Sequence, residues 1–263
     1  ANIMNLNNII KDEVLYFYKH VHVYEKIRNI DIIIAEDIYK TILKYEMCDT
    51  LKEEVLDSKT SLNNLNGTFI FAPSIDKKSL VVLSKNSVIE RGISQTRGTL
   101  IHELTHAHDH YDFANYLQLT DYNELYENEN YTAFFFWTEF HARCQGQKRF
   151  LKDYYSRQWK NLKKQKKELL DGIIYSFNNF QSDKGRVYDF MQSAGRFYTL
   201  LELCPGKENF KTDFLLKINL SDSNDDKIID KLYNIYNFLC NNLEFEQFIL
   251  NIEIFNELIN MLH

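Results

Sequence analysis

His102-Glu103-Leu104-Thr105-His106 sets two imidazoles four residues apart in a stretch whose apolar residues recur at helical spacing. On a helix, positions i and i+4 share one face, so both rings can reach a single divalent ion. Glu103 projects beside such an ion, where a carboxylate serves water as general base instead of acting as a ligand. Imidazole donors suit a divalent transition ion, which His102 and His106 together can reach.

A hydrolytic zinc site takes three protein ligands and keeps one position open. His110 continues the stripe of His102 and His106, but lies about 12 Å of helical rise from His102, and bonds near 2.1 Å would strain to span that. His108 shares a face with Ile101, Leu104 and Tyr111, the position of a core histidine. Glu124, Glu127 and Glu129 fall in a polar, Asn-rich segment where exposure is the ordinary state of a carboxylate. Glu139 differs, because it sits within Phe134-Phe135-Phe136-Trp137-Thr138-Glu139-Phe140, on a helical stripe with Phe135, Phe136 and Ala142. A carboxylate among aromatics is costly to bury unless a cation compensates it, which favours Glu139 as the third ligand. The structural alternative is an i,i+4 ion pair with Arg143. Asp109 is placed to orient a ligand imidazole, and His141, Tyr111 and Arg143 are candidates to stabilise an oxyanion.

With these residues the chain resembles the zincin metallopeptidases, whose active-site helix carries His-Glu-x-x-His behind a small sheet. The resemblance covers roughly residues 68–149. It implies His102 and His106 as zinc ligands, Glu103 as the base, and a sheet edge along which an extended peptide or protein substrate lies. Glu139 and Ala142 on a later helix are similar to the Glu-x-x-Ala pattern of the gluzincin branch, which includes the repressor-cleaving peptidases of mobile genetic elements. Asp112 stands at the metzincin third-ligand position, yet Asp109 occupies the place where that branch has Gly for a sharp turn. Asp112, His110 and the three glutamates therefore stay open beside Glu139. The implied activity is zinc-dependent peptide hydrolysis; the alternative is a zincin-shaped regulatory or binding module with weak or absent catalysis.

These residues need elements to hold them. Ser94 is a suitable N-cap for a helix running through His102 and His106 to about Tyr111. Before it, the β-rich runs Thr68–Ala72 and Leu80–Ser84 predict an antiparallel hairpin around Pro73-Ser74-Ile75-Asp76. Further helices are expected over Leu6–His22, Ala35–Leu56, Tyr131–Arg149 or as far as Tyr155, Leu162–Asn178, Val187–Leu203, Ile228–Leu239 and Phe245–Leu262. The expected fold is α+β and mostly helical: a zincin-like core with a small antiparallel sheet over residues 1–157, and a helical region over residues 158–263.

Composition bounds the remaining choices. Only 8 Gly and 2 Pro in 263 residues are too few turn formers for a sandwich, a barrel or a Gly-rich phosphate-binding fold. A net charge of −6 and no recognised motif argue against a nucleic-acid partner. No apolar run reaches the roughly 20 residues of a membrane span. Charge is uneven: residues 143–167 hold ten basic residues against one acid, and residues 221–263 hold eight acids against two lysines. Solvated helix faces are the ordinary reading of such runs. Cys48, Cys144, Cys204 and Cys240 stand far apart with no C-x-x-C pair, so buried free thiols and a cytoplasmic setting are expected.

Overall fold

Leu80-Val81-Val82-Leu83 is apolar on both faces of any strand it forms, so it requires cover on both sides. The computed structural model, which describes residues 3–22, 29–180, 185–220 and 226–262, provides that cover. The chain divides into two compact units, Ala1–Asn128 and Glu129–His263. Sequence patterning alone draws the boundary at residues 157/158.

The first unit runs α1 (Ile3–His20), β1 (Ile30–Ala35), α2 (Ile38–Ile42), α3 (Asp49–Asp57), α4 (Lys59–Asn63), β2 (Gly67–Ile70), β3 (Ser79–Ser84), α5 (Lys85–Tyr116) and α6 (Asn123–Glu127). Its three strands lie in the order β1-β3-β2. β2 and β3 form the expected antiparallel pair, from Gly67 opposite Leu83 to Ile70 opposite Leu80. β1 corrects the all-antiparallel expectation, because it pairs parallel to β3 from Ile30 opposite Ser79 to Ala35 opposite Ser84. The β-branched run Ile32-Ile33-Ile34 fits a strand better than a helix. Ala35 thus ends a strand and does not begin a helix. Asp37 caps α2 by accepting from the Lys40 amide at 2.9 Å. The single helix expected over Ala35–Leu56 is therefore two, α2 and α3, with Tyr45 between them donating its hydroxyl to Asp31 at 2.8 Å.

Alternation along β3 divides the core of this unit. Val81 and Leu83 pack with Leu6, Ile9 and Phe17 of α1 and with Leu100, Ile101 and Leu104 of α5. Leu80 and Val82 face the other way, onto Ile38, Ile42, Val55 and Leu62. α5 starts at the end of β3, where Ser84 Oγ accepts from the Ser87 amide at 3.3 Å. Gly92 then breaks the helical geometry with φ 80° and ψ −179°, a conformation essentially restricted to glycine. Thr96 Oγ1 donates to the Gly92 carbonyl at 2.9 Å as the helix resumes. The break at Gly92 falls two residues before Ser94, the expected start of the motif segment.

The second unit is helical: α7 (Tyr131–Tyr154), α8 (Trp159–Asn179), α9 (Arg186–Leu203), α10 (Phe210–Asp213), a 3-10 turn (Leu215–Lys217), α11 (Asp226–Asn241), α12 (Phe245–Leu250) and α13 (Ile252–Asn260). The helix expected over Phe245–Leu262 is interrupted at Asn251. α7 packs along α9 and α8 along α9. Gly195 makes the α7–α9 approach possible, since a Cβ there would meet the Phe140 carbonyl oxygen and Arg143 Cβ, each at 3.0 Å. Part of the basic run is internally paired, Lys148 with Glu202 at 2.6 Å and Lys166 with Glu208 at 2.5 Å. All four cysteines are free thiols; burial pushes Cys48 up to about 12 and Cys240 up to about 11. Among the described residues no helix is long and apolar enough to cross a membrane.

Gly195→Ala tests the close approach. A helical Gly→Ala change gains about 0.5–1 kcal/mol on propensity alone, while overpacking against a backbone oxygen costs about 1–3 kcal/mol. Net destabilisation of about 1 kcal/mol is expected in chemical denaturation. A stabilised variant would show that α7 and α9 separate at no cost.

Candidate metal centre

From Leu100 to Tyr111 every residue of α5 is buried, including His102, Glu103, Thr105, His106, His108, Asp109 and His110. An ordinary surface helix would show its polar face to water. Here each polar side chain needs a partner instead. Several find one within the unit. Thr105 Oγ1 donates back to the Ile101 carbonyl at 2.7 Å. His108 Nε2 lies 2.8 Å from the Tyr18 hydroxyl, and its ring packs on Phe17 and His22. It is a core histidine, as its face suggested. His110 Nδ1 donates to the His106 carbonyl at 2.7 Å, and the ring packs against Phe69 and Phe71. Tyr111, an oxyanion candidate, shares a 2.8 Å hydrogen bond with Ser79 Oγ.

His102 and His106 turn toward one another. Their Nε2 atoms are 3.1 Å apart and the rings meet nearly at right angles, 85°. Two nitrogens each about 2.05 Å from one tetrahedral ion stand about 3.3 Å apart, so the observed pair is within a few tenths of an ångström of chelating geometry.

Glu139 is on α7, 5% exposed, in a run where Phe134, Trp137, Thr138, Phe140 and Ala142 are also buried. Phe135 and Phe136, which the helical stripe grouped with it, are only half-buried. Glu139 Oε2 accepts from Gln192 Nε2 of α9 at 2.6 Å, and Gln192 Oε1 accepts from Arg143 Nε. His141 stacks on Trp137 with ring centroids 4.8 Å apart.

Among the described residues, His102, His106 and Glu139 make the one group of three or more His, Cys, Asp or Glu whose donor atoms, one from each, lie within 4.8 Å of one another. Two imidazoles and a carboxylate are a donor set that fits zinc. The competing candidates stand outside this group. Asp112 Oδ2 is engaged by His22 Nε2 at 3.1 Å. His110 is committed to the backbone and to Phe69 and Phe71. Glu124, Glu127 and Glu129 are exposed on and just after α6. Glu103 is buried on α5 and is also outside the group.

Gln192 went unnoticed in the sequence. The only signal was an amide within Phe190-Met191-Gln192-Ser193-Ala194, a stretch otherwise suited to burial. No protein-family model, no curated protein and no solved structure matches this chain.

Proposed function

We infer that the protein is a zinc-dependent metallopeptidase in which His102, His106 and Glu139 hold the metal and Glu103 is the general base. The observation that carries this reading is the buried His-His-Glu group, with the intact Glu103 beside its first histidine. Neither burial nor spacing alone would suffice. A histidine pair at i,i+4 can be a surface accident, and a buried glutamate can be a structural ion pair; three donors converging within 4.8 Å away from bulk water is a costlier arrangement to leave without a cation.

Zinc bound there would supply a Lewis acid that polarises a scissile carbonyl and makes water a stronger acid. The remaining work belongs to the chain. Glu103 takes a proton from the attacking water as its oxygen bonds to the carbonyl carbon, and returns the proton to the amine as the C–N bond breaks. Burial of Glu103 keeps bulk water from competing for that proton. β2 is an edge strand of the sheet, and its Phe69 packs against His110 of the motif helix. An extended peptide adding to that edge through main-chain hydrogen bonds is the substrate class the arrangement suits.

Metal analysis of protein purified without added zinc, beside a His106→Ala control, tests the site. About one zinc per chain, lost in the control, is the expected result; equal metal in both, or none in either, defeats the assignment.

Glu103→Ala separates base from ligand. The variant is expected to keep its zinc and its fold while peptide hydrolysis falls about 10²–10⁴-fold. Loss of metal would make Glu103 a ligand. Hydrolysis near the wild-type rate, or no hydrolysis by zinc-loaded wild type across peptide libraries, would favour a binding module over an enzyme.

Glu139→Gln decides the third ligand, because a neutral amide replaces a carboxylate poorly beside a divalent ion. Zinc affinity is expected to drop severely, while the apo protein keeps or gains thermal stability by losing a buried charge. Unchanged affinity would return the search to Asp112 and the three glutamates.

A further inference from the structure

Gln192 is a polar residue where α9 has little reason for one. It is 9% exposed, and Phe190, Met191 and Ala194 around it are buried apolar residues facing the packed interior. A buried primary amide brings donors and acceptors that cost free energy unless they are used. Both of its ends are used. Oε1 accepts from Arg143 Nε, and Nε2 donates to Glu139 Oε2 at 2.6 Å.

The first bond determines the sense of the second. A guanidinium can only donate, so the amide oxygen has to face Arg143 and the NH2 group has to face Glu139. The amide dipole then lies with its positive end against the carboxylate. A donor aimed at one carboxylate oxygen restrains rotation of the whole group, which is what orienting partners of metal ligands do. Arg143 follows Glu139 by one turn of α7, so the lock and the group it steadies are carried on the same rigid helix. Gly195, one turn beyond Gln192 on α9, lets the two backbones come close enough for the amide to reach.

We propose that Gln192 is the positioning residue for Glu139 as a metal ligand, with Arg143 locking the amide in the orientation that donates to the carboxylate. This rests on the reading of Glu139 as the third ligand.

The experiment is a double-mutant cycle on the full chain, read as Zn2+ affinity in competition with a chromophoric chelator. Gln192→Met keeps the length of the side chain and removes the donor. Zinc binding is expected to weaken about 10–100-fold, the usual effect of removing an orienting partner. In a Glu139→Gln background the same change should alter affinity by no more than about twofold, since no carboxylate remains to be oriented. The visible absorption of Co2+-loaded Gln192→Met should also differ from wild type, a response that mere loss of packing would not produce. Gln192→Asn retains the amide but shortens its reach, and covers the case in which Gln192→Met does not fold; weakened zinc binding is expected there too. Wild-type affinity in either folded variant, or an equal loss with and without the Glu139 carboxylate, overturns the proposal. If Glu139→Gln weakens zinc binding while the Gln192 variants bind normally, the ligand assignment stands and only the positioning role falls. If Glu139→Gln itself binds zinc normally, the ligand assignment falls and the positioning role with it.

Discussion

A helix buried on every side cannot leave the needs of its polar groups to water, and α5 from Leu100 to Tyr111 is such a helix. Ionisable side chains there must be matched by something inside the protein, or the segment would carry an uncompensated desolvation cost several times larger than a typical hydrogen bond contributes. The matching is visible residue by residue. Thr105 and His110 return to carbonyls of their own helix, His108 meets Tyr18, and Tyr111 meets Ser79. His102 and His106 bring their Nε2 atoms to 3.1 Å, and donor atoms of these two and Glu139 lie within 4.8 Å of one another. Two imidazoles and a carboxylate are the donor set from which the proposed zinc site is argued.

Packing within the first unit fixes the path of that helix. β3 is covered on both faces, and its alternation assigns Val81 and Leu83 to the side where α5 lies. The chain leaves β3 and enters α5 with no loop between them, so the direction of the strand determines the start of the helix. Gly92 then lets the axis change direction before the motif begins. A side chain at that φ and ψ would be strained whatever space surrounded it. β1 adds a parallel neighbour that buries the other edge of β3, leaving β2 as the edge nearest the motif helix by way of Phe69 and Phe71.

In the second unit the comparable constraint is the fit of α7 against α9. Gly195 permits the approach, Cys144 and Thr199 add hydrogen bonds across it, and Gln192 places an amide on Glu139. Glu139 Oε2 thereby accepts from a neutral donor on the neighbouring helix. The thiol of Cys144, buried in the same packing, is pushed far above its ordinary range by desolvation, so it stays protonated as a weak donor to the Gly195 carbonyl.

Much of this was legible in the residues themselves. The i,i+4 spacing of His102 and His106 is an internal property of any helix, so the placing of both rings on one face beside Glu103 could be read without knowing what surrounds them. The antiparallel pairing of β2 with β3 was legible for the same reason, since it joins neighbours across a short connection. The aromatic surroundings of Glu139 announced a buried carboxylate, though which of the Phe residues would be buried depended on packing. Other features were decided by the tertiary structure alone. Ile30–Ala35 became a strand through a parallel pairing with residues about fifty positions later, a long-range contact that no local periodicity encodes. Gln192 reaches Glu139 across 53 positions, and an isolated glutamine carries no pattern of its own. The candidates Glu139, Asp112, His110, Glu124, Glu127 and Glu129 had the same character: composition and spacing admitted all of them, and the surroundings of each, Gln192 at Glu139, His22 at Asp112, a backbone carbonyl at His110 and solvent at the three glutamates, are set by the three-dimensional path of the chain.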